Sequence, residues 1–285
     1  MKDVDSTHSQ SHLGEASRAA ALANDAYFLG GYDLEMVTIR DWLMQLGARL
    51  YDRRLAWGAK SSAYAEELAA ELQVGRRVVL IELEDDLELG QRAAVGQAVW
   101  IDHHGSRSGR NAPTALRQVF ELLDGRPSEW TRWFDLVDAN DRGHIPALLE
   151  RGATTEELLA VRAADRAAQG ISAVEEQAGR EAAMRAELQE GGRWTLVRLP
   201  HGRTTVAADY MNKSLGGPGF ENLLVLWSTG QQFLGDGRVV LGLESRFPGG
   251  YYGGDLPFRG YWGHPRKLCE STVHDVIQSL VDELE

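Results

Sequence analysis

With 285 residues, 43% of them apolar, and one cysteine, Cys269, the chain has material for two hydrophobic cores and none for a disulfide scaffold. Thirty Lys and Arg against forty-two Asp and Glu leave a net charge of −12, which excludes an extended duplex-binding surface but not a small anion held in a local basic or metal-charged pocket. No apolar run approaches the roughly 20 residues of a membrane helix, and residues 1–14 lack the apolar core of a signal peptide, so a soluble, cytoplasmic chain is expected.

Residues 1–14 read as a disordered tail in which His8 and His12 are solvated. An Ala-rich helix from about Glu15 to Asp25 follows, then a short buried strand, Ala26–Leu29, ended by Gly30 and Gly31. Met36, Ile39, Leu43, Leu46 and Leu50 recur at helical spacing and predict a helix over Leu34–Leu50. Val78–Glu82 and Ala98–Ile101 are continuous apolar runs, the first ending in an acid and the second in Asp102-His103-His104-Gly105. Such runs alternating with helices predict crossover units and a mainly parallel sheet buried on both faces. Thr114 is an N-cap for Ala115–Leu123, and a further helix from about Trp130 to Ala139 stops at Asn140-Asp141-Arg142-Gly143.

From Thr154 to Glu190 the chain turns to Ala, Glu, Arg and Gln, the composition of a helical connector. Beyond Gly191 and Gly192, Trp194–Leu199, Asn222–Trp227 and Arg238–Leu243 predict strands, Pro248–Gly263 a glycine-rich loop, and Ser271–Leu284 a final helix. The expected α/β organisation is a tail (1–14), a mainly parallel sheet domain with flanking helices (15–164), a connector (165–190) and a smaller α/β domain (191–285).

Asp102, His103 and His104 are three potential metal ligands at a strand end, where open α/β sheets bind their ligands. Their donors suit Mn²⁺, Fe²⁺ or Zn²⁺ by type, and the plainer reading is a capped turn. Asp33 and Glu35 follow the first strand. Glu82 closes the next, with Glu84, Asp85 and Asp86 beyond it, and Asp138 and Asp141 sit near a helix end. Any one of these acids reads as a cap or a solvated charge; acids at four element ends of one sheet argue for a site.

The order acid-x-acid, strand-end acid, Asp-His-His, capping Thr and later Asp resembles the DHH phosphoesterase superfamily of RecJ-type exonucleases, nanoRNases, cyclic-dinucleotide phosphodiesterases and family II pyrophosphatases. The resemblance implies metal-dependent phosphodiester hydrolysis with one or two Mn²⁺ or Mg²⁺ ions. It would place Asp33, Glu35, Glu82 (or Glu84), Asp102 and Asp141 or Asp138 as ligands, His103 as a ligand or its support, and His104 on the phosphate. Asp102, His103 and His104 form the catalytic group in this reading.

Ser245-Arg246, Gly249-Gly250, Gly253-Gly254 and His264 resemble the DHH-associated substrate domain. Arg246 is suited to clamp a phosphate bidentately, and glycine amides to approach it closely. Tyr251, Tyr252, Tyr261 and Trp262 either stack bases or form an aromatic core, and His201 and Arg203 belong to the cleft or to a polar loop. The chain departs from the pattern at Leu29, where the superfamily places His or Asp, at Glu35 and Glu82, where Asp is usual, and at Phe247–Gly254, which replaces a Gly-Gly-Gly-His run. A divergent branch is implied.

The substrate expected is a short oligonucleotide or cyclic dinucleotide, held in the inter-domain cleft. Pyrophosphate is disfavoured by the absence of a basic cluster in the second domain. The alternative is an inactive nucleotide- or metal-binding regulatory protein. Neither duplex DNA nor a membrane is an expected partner, and a homodimer is the default assembly.

Overall fold

The computed structural model of the chain describes residues 5–92, 94–103, 112–264 and 266–284. Its contacts divide it into two units, Met1–Arg151 and Gly152–Glu285.

The first unit opens with helix α1 (Asp5–Asn24). Residues 5–14, expected as a tail, form the first half of this helix, and residues 1–4 lie outside the described residues. Arg18 anchors α1 by donating to the Leu123 carbonyl at 2.8 Å and pairing with Glu129 at 2.7 Å; once a turn is held, each further residue adds a hydrogen bond. Strand β1 (Asp25–Leu29) is buried throughout, and helix α2 (Leu34–Gln45) packs Met36, Ile39 and Leu43 inward.

The periodicity predicted α2 as far as Leu50. The helix ends at Gln45 because Gly47 turns the chain at φ 70°, its N–H reaching the Met44 carbonyl and that of Ala48 the Leu43 carbonyl, both at 3.0 Å. The remainder becomes an additional strand, β2 (Arg49–Tyr51). Helix α3 (Ala65–Gln73), β3 (Arg77–Ile81), the single turn α4 (Leu89–Arg92), β4 (Ala98–Ile101), α5 (Ala115–Leu122) and α6 (Arg132–Glu150) follow.

The sheet order is β2-β1-β3-β4, all parallel. Ala26, Phe28, Val78 and Leu80 pack with Tyr64 and Leu68 on one face, while α2, α5 and α6 pack together. Helix α6 is broken at Gly143 and His144 (φ 50°, ψ −138°), so the stop predicted at Asn140–Gly143 is a kink from which the helix resumes.

The second unit begins with α7 (Thr155–Ala168) and α8 (Ala173–Met184), the segment read as a connector. Ala182 and Ala183 of α8 lie in a core with Val197, Ala207 and Val225, and α7 is tied by buried ion pairs from Arg162 and Arg166 to Asp209. Strands β5 (Glu187–Gln189) and β6 (Trp194–Arg198), helix α9 (Thr204–Met211), β7 (Leu223–Trp227) and β8 (Gly230–Asp236) come next.

Two expectations change here. Arg238–Leu243, read as a strand, lies in helix α10 (Gly237–Arg246): Asp236 caps its N-terminus, and Val239, Val240 and Leu243 fall on one buried face. The glycine-rich stretch is not a loop but a hairpin of β9 (Tyr251–Asp255) and β10 (Arg259–His264), before α11 (Glu270–Asp282). The six strands run β5-β6-β7-β8-β10-β9, with only β6 and β7 parallel. Alternate side chains of β6 and β7 face two cores. Leu196 and Leu224 pack with α10 and α11, Val197 and Val225 with α8 and α9. No helix of the described residues is long and apolar enough to cross a membrane.

Candidate metal centre

The ends of β1, β3 and β4 are drawn together by their backbones. At Gly30 a Cβ would lie 2.2 Å from the Glu82 carbonyl oxygen, so only glycine lets β1 leave the sheet there. Asp33 then caps α2, accepting from the Met36 N–H at 2.9 Å, and Glu35 enters the first turn facing inward, 2% exposed. Its Oε1 accepts from the Leu116 N–H at 2.7 Å, in the first turn of α5, where free amides favour an anion. Glu82 follows β3 in the left-handed region at φ 51°, its N–H held by the Ile101 carbonyl at 2.8 Å. That backbone costs energy for a residue with a Cβ and re-aims the side chain.

His103 stands two residues beyond β4. Its Nε2 lies 2.8 Å from Asp141 Oδ2, 3.2 Å from Glu82 Oε1 and 3.7 Å from Glu35 Oε2. One ligand atom each from Glu35, Glu82 and His103 falls within 4.8 Å of the others. Four separate elements therefore bring three carboxylates and one imidazole together.

Burial raises the Glu35 carboxyl well above its usual range, and the neighbouring Asp141 and Glu82 charges add to it while His103 opposes it. For His103, burial works against the charge, but the hydrogen bonds to Asp141, Glu35 and Glu82 outweigh it and push the imidazole up to about 12. Glu35 Oε2 and Asp141 Oδ2 are buried and face His103 Nε2, at 3.7 and 2.8 Å. Buried carboxylate oxygens converging on an imidazole nitrogen are a donor set that fits a divalent cation such as Mn²⁺.

The other predicted residues fall as follows. Glu84 is exposed and pairs with Lys60 at 3.4 Å, so Glu82 is the acid at the cluster. Asp85 caps α4 through Leu89 N–H at 2.8 Å, and Asp86 accepts from Ser61 Oγ at 3.0 Å. Asp138 is fully buried one helical turn from Asp141, but it accepts from Thr114 Oγ1 at 2.8 Å and Arg142 at 3.2 Å. Asp33 and Asp102 lie outside the three-residue group; the Asp102 carbonyl accepts from Gln118 Nε2 at 3.0 Å. His104 lies outside the described residues. Leu29 is fully buried in β1, and its carbonyl accepts from Tyr64 Oη at 2.7 Å.

Sequence reasoning recognised Thr114 as a cap and missed its grip on Asp138, as it missed the Leu116 amide on Glu35. Backbone donors carry no sequence signal, and a capping Thr has no mark of a second partner.

In the second unit Arg246 is exposed at the end of α10, with no ion pair among the described residues. Neighbouring Glu244 instead accepts from the Gly249 N–H at 3.2 Å and Trp262 Nε1 at 3.3 Å. Gly250, Gly253 and Gly254 lie where β9 and β10 approach so closely that a Cβ would collide. His264 Nδ1 accepts from the Arg266 N–H at 3.1 Å, and His201 Nε2 donates to the Glu175 carbonyl at 2.8 Å. Trp262 is core, whereas Tyr251 and Tyr252 are each 47% exposed.

No family model matches the chain, and no curated protein sequence matches it. Among solved structures it is similar to the pGpG-specific phosphodiesterase PggH from Vibrio cholerae, with 13% identity and a TM-score of 0.46 over 92% of this chain and 98% of that one. It is similar to exonuclease RecJ bound to manganese, with 14% identity and a TM-score of 0.44 over 95% of this chain and 93% of that one. A third similar structure, the DHH domain of a member of the s1p family of ribosomal proteins, has 12% identity and a TM-score of 0.44 over 99% of this chain and 92% of that one. The chain is thus similar, over nearly its whole length, to phosphodiesterase, exonuclease and DHH-domain structures.

Proposed function

We propose that the chain is a metal-dependent phosphoesterase of the DHH kind, acting on a small nucleotide such as a dinucleotide, short single-stranded oligonucleotide or cyclic dinucleotide. The observation that carries this reading is the convergence of three buried or half-buried carboxylates, Glu35, Glu82 and Asp141, on the one imidazole of His103. Mn²⁺ or Mg²⁺ held by these residues would supply the positive charge and Lewis acidity that phosphodiester hydrolysis needs.

The chain's own residues prepare that site. The Leu116 amide fixes one oxygen of Glu35 and leaves the other facing His103. The bent backbone at Glu82 aims its carboxylate inward. His103 would bind through Nε2 as the neutral imidazole, giving up the proton it now shares with the carboxylates. In this proposal Asp33 and Asp102 complete the ligand set, Asp138 supports Asp141 within α6, and His104 meets the phosphate. Arg246 and the glycine amides at 249, 250, 253 and 254, with His264, bind a further phosphate of the substrate.

A small substrate suits a chain of net charge −12, which repels extended nucleic acid wherever no cation intervenes. One observation favours a second reading, a metal- or nucleotide-binding protein without turnover: the core side chain of Leu29 offers no donor where the superfamily has one. A panel of dinucleotides, cyclic dinucleotides, short RNA and pyrophosphate, tested with Mn²⁺ and with chelator, decides between them. Hydrolysis that requires Mn²⁺ and disappears in Asp141→Asn is expected. Binding of Mn²⁺ with no hydrolysis across the panel would leave the second reading.

A further inference from the structure

The backbone that enters His103 is held at two successive carbonyls. That of Ile101, the last residue of β4, accepts from the Glu82 N–H at 2.8 Å, across from β3. The next, that of Asp102, lies beyond the pairing with β3 and accepts from Gln118 Nε2 at 3.0 Å. The Asp102 carbonyl shares a planar peptide group with the nitrogen of His103, so fixing the one sets the direction in which the other leaves. Strand β4 stands at the end of its sheet, and β3 steadies it from one side only.

Gln118 lies in the second turn of α5, behind the cap Thr114. Helical side chains lean toward the N-terminus, so its amide reaches back over the first turn, where the same Nε2 donates to the Pro113 carbonyl at 2.7 Å. A primary amide nitrogen carries two N–H donors. One serves the entry of its own helix, and the other crosses to a carbonyl 16 residues upstream, beyond a strand of the sheet.

The same end of α5 grips other arms of the centre. Leu116 N–H holds Glu35 Oε1 at 2.7 Å, and Thr114 Oγ1 holds Asp138, one turn before Asp141, at 2.8 Å. Those contacts reach α2 and α6; Gln118 supplies the hold on the exit of β4. A divalent ion accepts ligand distances that vary by only about 0.2 Å, and partners behind the ligands are what keep them so placed.

We propose that Gln118 is a positioning residue of the metal centre. By fixing the Asp102 carbonyl it sets where His103 leaves β4, and so where Nε2 meets Glu35, Glu82 and Asp141. The inference rests on the metal-centre reading and adds to it a residue that acts on the imidazole through the backbone alone.

The test compares the full chain, stripped of metal, with Gln118→Met, which keeps the length and helix propensity of the side chain and removes both donors. Mn²⁺ binding is measured by calorimetry at a temperature where circular dichroism shows both proteins folded. Positioning predicts that the Kd for Mn²⁺ rises about tenfold in Gln118→Met. The frozen-solution paramagnetic resonance spectrum of the bound ion should change with it, because its splittings follow the symmetry of the ligands. Gln118→Leu, different in shape but equally without donors, should show the same loss. A purely structural role would lower the melting temperature of the metal-stripped variants and leave the Kd and the spectrum of the folded proteins as in wild type, and that result overturns the proposal. If wild type takes up no Mn²⁺, the metal-centre reading falls, and the role of Gln118 with it.

Discussion

In the second unit Arg162, Asp165, Arg166 and Asp209 are each no more than 8% exposed, and their charges answer one another. Arg162 reaches Asp165 at 2.9 Å and Asp209 at 3.0 Å, while Arg166 reaches Asp209 at 2.6 Å and Glu176 at 3.0 Å. In the first unit three carboxylates, Glu35, Glu82 and Asp141, face the one imidazole of His103. Both clusters have left water and incurred its desolvation cost. The balanced one repays that cost internally and joins α7 to α9; the unbalanced one, on the reading proposed above, would be completed by a positive ligand. Net charge within a buried cluster, rather than burial itself, is what separates a structural network from a site.

The largest effect should come from breaking the balanced cluster. Asp209→Asn leaves two buried guanidinium groups short of charge, and a loss of about 3–5 kcal/mol is expected by denaturant titration. Mn²⁺ affinity should not change, since the network lies in the other unit; a parallel loss of metal binding would mean that the two clusters are not independent.

Next comes completion of the unbalanced cluster. Mn²⁺ at about a hundredfold excess over Kd should stabilise the chain by about 2.7 kcal/mol, and Asp141→Asn should remove most of that gain. The gain should also depend on pH. The His103 imidazole is held up at about 12 against an ordinary 6.5. Its stabilising contribution is therefore complete below about pH 6.5 and is lost as pH rises through the folded value. Metal-stripped protein should lose stability with rising pH in that window, whereas Mn²⁺, which requires the neutral imidazole, should bind more tightly. Thermal melts with and without Mn²⁺ should therefore diverge between pH 6.5 and 8.5, and parallel melting curves would remove His103 from the ligand set.

A smaller effect is expected where the first unit does satisfy its charges. Thr114→Val takes the hydroxyl donor from buried Asp138 and the cap from α5, at an expected cost of about 2 kcal/mol. Mn²⁺ affinity should fall less than in Asp141→Asn, because Asp138 acts through the position of α6. The smallest stability change belongs to exposed Arg246: Arg246→Ala should alter folding by under about 0.5 kcal/mol. If it binds substrate phosphate, KM should rise about tenfold without a change in melting temperature. An unchanged KM would take the second unit's arginine out of the proposed site.

The legible parts were those with short-range causes. Ala26–Leu29, Val78–Ile81 and Ala98–Ile101 are unbroken apolar runs, and they became the parallel strands β1, β3 and β4. Acids and His103 just past those runs had to lie near one sheet edge, because parallel strands end together. Arg238–Leu243 misled because Val-Val-Leu reads equally as a strand or as the buried face of a helix, and the Asp236 cap that decides it lies outside the run. The hairpin in the glycine-rich stretch was hidden because its glycines are required by a neighbouring strand, β10, that lies far less than a van der Waals distance from any added Cβ.

By itself the sequence determined the apolar strands β1, β3 and β4 of the parallel first sheet and the set of acids from which a site is drawn, because apolar runs, capping and strand-end placement act within a few residues. Only the tertiary structure decided that Asp141 reaches His103 while Asp138, one turn away on α6, is held by Thr114 and Arg142. Asp85 and Asp86, which look like ligands in the sequence, turned out to be committed to backbone and hydroxyl donors. Which carboxylates turn toward His103 depends on donors contributed by distant segments, such as the Leu116 amide on Glu35 across 81 positions of chain. That is settled by how helices pack on the sheet, and no local pattern records it.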